Sequence, residues 1–461
     1  MKITFIGAAR SVTGSLYLFE FNNQKFLVEC GLYQGHREEA NRINRTFPFK
    51  PKEIKSVVLS HAHIDHSGNL PTLGLCGFTG PIFATPATVD IASLLLLDTA
   101  AIQESDIEYL NKRLRKKGLP EQKPLYTVSA AESIIKRFHK IGYGMEFEPI
   151  SGVRAKFIDA GHILGSASIV IDIGQERLLF TGDLGRKNMP IVRDPSIIKD
   201  VDYLIIESTY GGRLHKSFDE MAFELKSLIE EGRRQKSKII IPSFAVERTQ
   251  LLITVLKRLS EEGVLKGIPV YIDSPLALDV TQIYEQHPEC FDEETYRIFI
   301  KTDPFRFPGL YYIRGREESK RLNNLQQAMI IIAGSGMCEG GRVLHHLIHG
   351  IENGQNMIVF VGFQARGTLG RKLLDGYERV TIFGDEYKVR ARIYFLSGFS
   401  AHADGKDLLD YITTIRNHRL KRIFLVHGEA DQAIALQEKI SSLDRSLPVD
   451  IPASMTEIEV R

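Results

Sequence analysis

The string HAHIDH occupies residues 61–66 and follows directly on the apolar run SVVLS. Three imidazoles and a carboxylate at the end of a predicted strand constrain this chain more than any other stretch. Alternate side chains of an extended segment share a side, so His61, His63 and Asp65 can project together, with His66 following as the chain turns. Neutral imidazoles and carboxylates suit zinc or a similar divalent ion. Further donors stand at other predicted strand ends: His162 after KFIDAG, Asp183 after LLFTG and His427 after IFLV. Loops at strand ends are where a rigid sheet holds reactive groups. A lone strand-end histidine is more often structural. An HxHxDH string with three such partners points to a metal site.

A chain of 461 residues exceeds one ordinary core, which predicts two domains. KITFIGA, KFLVEC, SVVLS, RAKFIDA, SIVIDI, RLLFTGD and YLIIES read as strands. ATVDIASLLLLDTAAIQE and AAESIIKRFHKIG have helical spacing. After Tyr210 the texture changes to alternating helices and buried strands (KIIIPSF, PVYIDSP, AMIIIAGSG, NMIVFVGFQ), which predicts a parallel sheet flanked by helices. RIYFLSGFSAHAD and RIFLVHGEAD then return to the strand-end pattern of the first region. The reading is an α/β chain in which one domain interrupts another: residues 1–210 and 381–461 form the first, 211–380 the insert.

No apolar stretch is long enough to span a bilayer, and MKITFIGAARSVTGS reads as strand and turn rather than a signal peptide. Cys30, Cys76, Cys290 and Cys338 form no CxxC pair and read as buried reduced thiols of a cytoplasmic protein. With a net charge of +2, any phosphate recognition must be local. The basic run LNKRLRKKGLP reads as a solvated helix face.

HAHIDH, His162, Asp183 and His427 resemble the motifs of the metallo-β-lactamase superfamily. Three further features narrow the branch: Glu207 in LIIESTYG, His402 in FSAHAD, and the long segment between them with PSFAVERTQ, DSPLA, GSGMCEGGR and FQARGTLGR. Together they resemble the β-CASP nucleases, over essentially the whole chain. The resemblance implies an αββα sandwich with an inserted β-CASP domain closing over the metal site. It implies two zinc ions per chain: one on His61, His63 and His162, the other on Asp65, His66 and His427, with Asp183 bridging. Asp65 is also a candidate to orient the attacking water. His402 becomes the candidate general acid, because a histidine held by a carboxylate can protonate a leaving oxygen near neutral pH. Glu207 is its orienting partner; taken alone, Glu207 reads as a strand-end carboxylate capping a turn. Glu29, in VECGLYQG, stands where relatives carry aspartate, and is expected to support the ligands from behind.

Backbone N–H groups around Gly334, Ser335 and Gly336 can receive a phosphate, and Arg342, Arg366 and Arg371 can add charge-assisted contacts. Arg248 in AVERTQ and Ser274 in DSPLA are candidates for the same task. A tight strand–helix turn with surface arginines explains these residues equally well. His345, His346 and His349 in LHHLIHG have helical spacing but lack the glutamate of an HExxH site, and read as a helix beside the RNA path. The leading function is a zinc-dependent ribonuclease acting on single-stranded RNA, endonucleolytic rather than 5′-exonucleolytic, without membrane association and with a homodimer implied by the family alone. The alternatives are a thiolesterase- or lactonase-like hydrolase, a DNA-acting nuclease, and a scaffold that has lost catalysis.

Overall fold

The computed structural model describes residues 1–35 and 37–460. They fall into two compact units. The first contains residues 1–187, 194–214 and 402–461, less the two undescribed positions; the second contains residues 188–193 and 215–401.

The first unit holds two seven-stranded sheets. One runs, in spatial order, Thr456–Glu459, Lys2–Gly7, Leu16–Phe21, Gln24–Val28, Ile54–Val58, Ile82–Ala84 and Phe138–Lys140; the other runs Val449–Asp450, Arg422–Val426, Tyr203–Glu207, Glu176–Phe180, Ala167–Ile173, Val153–Asp159 and Glu146–Ile150. Their inner faces share one apolar core that includes Phe5, Tyr17, Phe19, Phe157, Ile169, Phe180 and Phe424. The Tyr17 and Phe180 rings meet edge-on at 5.0 Å. The outer face of the second sheet carries Val170, Leu204 and Leu425 against the helices Gly405–Ile415 and Ala430–Leu443. Tyr203–Glu207 therefore puts Tyr203 and Ile205 in the inner core and Leu204 and Ile206 against the helices, as a strand covered on both sides does. This is the αββα sandwich.

The second unit is built on a six-stranded sheet ordered Leu310–Tyr312, Val270–Asp273, Met329–Ala333, Lys238–Pro242, Met357–Phe360 and Arg392–Phe395. Every pairing in it is parallel.

Three details differ from the sequence reading. The segment FHK belongs to a strand, because Phe138–Lys140 pairs in parallel with Ile82–Ala84 and this pairing overrides its helical spacing. Residues 381–401 pack with the insert: Arg392–Phe395 pairs with Met357–Phe360, so the first unit resumes at His402 rather than 381. Cys76 is exposed, at the C-terminal end of the short helix Leu70–Leu75, whereas the other three cysteines are buried; all four are free thiols. The basic run lies on the helix Pro86–Lys116 and just beyond it. No helix among the described residues is long and apolar enough to cross a membrane.

Candidate metal centre

HAHIDH does not stay extended. After His61 and His63 the chain enters a helical turn, Ile64–Ser67, with His63 at its N-cap. This change of local structure divides the string. His61 and His63 face one group of donors, while Asp65 and His66, already on the turn, face another.

In the first group, His61 Nε2 lies 3.0 Å from His63 Nδ1, and His162 Nε2 lies 3.3 Å from the same atom. Asp183 Oδ2 lies 3.4 Å from His61 Nε2 and 3.6 Å from His162 Nε2. A tetrahedral zinc with bonds of about 2.0–2.1 Å sets its ligand atoms about 3.3 Å apart. In the second group, His66 Nε2 and His427 Nε2 are 3.2 Å apart, and Asp65 Oδ2 lies 3.3 Å from His427 Nε2 and 3.8 Å from His66 Nε2. Asp183 Oδ2 also lies 3.4 Å from His66 Nε2. One carboxylate oxygen thus belongs to both groups. Both oxygens of Asp183 are buried and accept no hydrogen bond. A buried carboxylate without a donor is costly, and a cation satisfies it.

The electrostatics favour the ligand forms. Burial alone would raise the Asp183 carboxyl, but His427 and His66 outweigh it and hold the group well below the carboxylate range. Asp65 is held at about 2, with the charges of His66 and His427 prevailing over burial. Burial pushes His63 down to about 4 and His61 well below its usual value. His66 is the exception: burial lowers it, yet Asp183 and Asp65 together push it well up. A cation there must displace a proton.

Behind the donors stands an orienting layer. Ser60 Oγ is 2.9 Å from His61 Nδ1, and Thr209 Oγ1 is 3.1 Å from His427 Nδ1. Glu29 accepts the Ser60 backbone N–H at 2.9 Å and places its other oxygen 3.4 Å from His66 Nδ1. Such contacts fix the ring of a metal-binding histidine and its tautomer. Ser60 and Thr209 were not singled out from sequence; a hydroxyl directly before HAHIDH and another two residues after Glu207 were the available signals.

His402 Nδ1 sits 3.2 Å from both oxygens of Glu207. Glu207 is fully buried at the end of its strand and also accepts the Leu184 N–H at 2.7 Å. Burial lowers the His402 pKa, but the negative charges of Glu207 and Asp183 reverse this and raise it to about 9.

Family models match residues 11–74 (metallo-β-lactamase superfamily), 249–373 (β-CASP domain) and 386–452 (Zn-dependent metallo-hydrolase RNA specificity domain). Ribonuclease TTHA0252 of Thermus thermophilus is 36% identical over 437 residues, covering 95% of each chain. The chain belongs to the β-CASP branch of the metallo-β-lactamase superfamily. Transcription termination factor FttA of Methanococcus maripaludis is 31% identical across 95% of this chain and 68% of its own length. The FttA of Methanocaldococcus jannaschii is 29% identical across 100% of this chain and 72% of its own. A solved Enterococcus faecalis protein of unknown function shares the fold, with a TM-score of 0.56 at 14% identity, covering 99% of each chain.

In this β-CASP chain, the remaining sequence candidates lie in the second unit, and most have intramolecular partners. Arg342 donates to Asp273 at 2.6 Å and to the carbonyls of Ile313 and Arg314. Arg248 pairs with Glu247 and with the Val361 carbonyl. Arg371 pairs with Asp375. Ser274 caps the helix Pro275–Gln286, and Ser335 Oγ accepts the N–H groups of Glu339 and Gly340. Gly336 packs against the Phe244 ring, and Arg366 is exposed. Within LHHLIHG, His346 is buried and bonded to Asp273 at 2.6 Å, a structural role.

Proposed function

We propose that this chain is a zinc-dependent ribonuclease that hydrolyses phosphodiester bonds of single-stranded RNA in the cytoplasm, cutting internally rather than from the 5′ end. The observation that carries the reading is the shared position of Asp183 Oδ2, within 3.4–3.6 Å of Nε2 of His61, His162 and His66. His61, His63 and His162 would hold one zinc, Asp65, His66 and His427 the other, and Asp183 both. Two bound zinc ions supply an activated water and stabilise charge on the attacking and leaving oxygens.

The chain's own groups do the rest. Asp65 is held ionised and can orient the attacking water as well as serve as a ligand. His402 binds Glu207 through Nδ1, which leaves Nε2 to deliver a proton to the departing 3′ oxygen. Glu207 sustains the charged form of the ring and fixes its direction. The likeness to a named ribonuclease over 95% of both chains supports RNA as substrate.

The test is zinc analysis with parallel assays on RNA and generic ester substrates. Close to two zinc ions per chain and zinc-dependent RNA cleavage are expected. Ester hydrolysis without RNA cleavage would assign the chain to a small-molecule branch, and a fully ligated mononuclear site would remove the two-ion mechanism.

A further inference from the structure

Large aromatic rings normally sit in the core. Five phenylalanines of the second unit do not: Phe223 lies on the helix Phe218–Gln235 and Phe383 follows the strand Arg379–Ile382 of a separate two-stranded sheet, while Phe244, Phe363 and Phe395, 41%, 48% and 49% exposed, belong to the six-stranded sheet and the loops that leave it. The last three occupy related places. Lys238–Pro242, Met357–Phe360 and Arg392–Phe395 are consecutive neighbours in the parallel sheet. Phe244 lies two residues beyond the first strand, Phe363 three beyond the second, and Phe395 ends the third. Parallel strands end at the same edge, and neighbours are about 4.8 Å apart. The three backbone positions therefore lie toward the C-terminal edge of the sheet, Phe395 level with Phe360 and the other two in the loops beyond.

That edge is where open α/β sheets bind ligands, above all where successive connections leave in opposite directions. The connection after Lys238–Pro242 leads to Val270–Asp273 on one side, and that after Met329–Ala333 leads to Met357–Phe360 on the other. The setting holds Phe244 firmly. Its ring lies against Gly336, where a Cβ would come within 2.7 Å of two ring carbons, and a Cβ on Gly362 would lie 3.9 Å from the same ring. Glycine at 336 admits the ring to this place. Arg366 follows in the Phe363 loop and is exposed, a cation suited to a phosphate.

We propose that Phe244, Phe363 and Phe395 form a stacking platform for the bases of single-stranded RNA, with Arg366 meeting the backbone. The inference rests on the ribonuclease reading and names the substrate contact that reading lacks. A π-face accepts any base, so the platform grips a strand without reading its sequence, as aromatic residues on other sheets do. A protein-docking patch would need only apolar area; the glycine-seated ring and the adjacent exposed arginine fit a nucleic acid better.

The experiment uses the full-length zinc-loaded chain and two readouts. Binding of a fluorescein-labelled oligoadenylate is followed by anisotropy, and cleavage is followed separately. Phe363→Ala and Phe244→Ala should each weaken binding about 10-fold or more, the scale of one lost base stack. Phe363→Tyr should retain affinity and Phe363→Leu should not, because leucine keeps apolar bulk but no π-face. For the parent chain, replacing the bases with abasic residues should cost at least as much. Parent affinity in both alanine variants, or equal affinity for abasic and normal strands, overturns the platform. A change of oligomeric mass in Phe363→Ala with unchanged RNA affinity also overturns it and assigns the patch to a second copy. A parent chain that binds RNA through these rings but cleaves none sinks the ribonuclease reading and leaves the platform standing.

Discussion

His402 Nδ1 lies 3.2 Å from each carboxylate oxygen of Glu207, so the acidic partner meets the ring nearly symmetrically. The negative charge of this carboxylate outweighs burial, with help from Asp183, and raises the His402 pKa to about 9. A general acid works only while protonated, so activity should fall as pH rises through the His402 pKa. Glu207→Gln removes the charge that raises that pKa. The alkaline limb of kcat/KM should therefore move to lower pH by about one unit or more, the usual effect of a close opposite charge. A limb that does not move would show that Glu207 does not set the acid.

His402→Ala separates proton delivery from assembly of the site. General acid catalysis typically contributes about 10²–10⁴-fold, and kcat should fall by that order. Zinc content and RNA affinity should hold, because the six other histidines and aspartates of the two donor groups, together with Asp183, remain in place. Cleavage at the parent rate would remove His402 from the chemistry.

Asp183 belongs to both donor groups, so Asp183→Ala should lose zinc from both positions rather than one. The measurement is metal content after dialysis, beside Asp65→Ala, which should empty the second position preferentially. Uptake should also be pH-dependent. A proton held by His66 in the metal-free site competes with the ion, so zinc should leave a chelator-challenged protein faster as pH falls.

Cleavage should stop at a stable helix and weaken with added salt. A duplex hides its bases by pairing and stacking, and phosphate contacts are screened as salt rises. The substrate is an RNA with an internal loop between duplex arms, assayed with and without a strand complementary to the loop. Equal cutting of both forms would count against single-strand selectivity.

The donor set was legible because ligand chemistry permits few residue types and each stood at a strand end. Its partition was less so. Extended-chain geometry groups Asp65 with His61 and His63, but the helical turn at Ile64–Ser67 turns Asp65 and His66 toward His427. Ser60 and Thr209 escaped notice because a hydroxyl that orients an imidazole has no spacing rule. The strand Arg392–Phe395 shows a further limit: a run as short as RIYF suits either sheet, and only pairing with Met357–Phe360 decides. Arg342 illustrates another limit. Sequence offers a cation beside a glycine-rich loop; the fold supplies Asp273, which sequence reading had passed over.

Asp273 yields the last prediction. It is fully buried, and its carboxylate meets Arg342 and His346 at 2.6 Å and the Ser319 hydroxyl at 2.5 Å. His346 in turn contacts Asn323 at 2.8 Å. Burial alone would raise the Asp273 pKa, but these three partners lower it below the ordinary carboxylate value. Asp273→Ala leaves the Arg342 guanidinium, itself only 19% exposed, without a counter-ion and His346 without its acceptor. Removing one member of a buried charged pair costs about 3–5 kcal/mol. By contrast Arg371→Ala, which breaks the exposed pair with Asp375, should cost at most about 1 kcal/mol. Both variants should retain parent zinc content, because the candidate ligands lie in the other unit. The sign of the pH dependence follows from the lowered pKa. The contribution of Asp273 is present above the unfolded carboxylate value and is lost as pH falls through the folded one, so the parent should lose its advantage over Asp273→Ala in acid. Urea unfolding across that range measures the difference, and a gap that widens as pH falls would show that the ionised carboxylate does not stabilise this network.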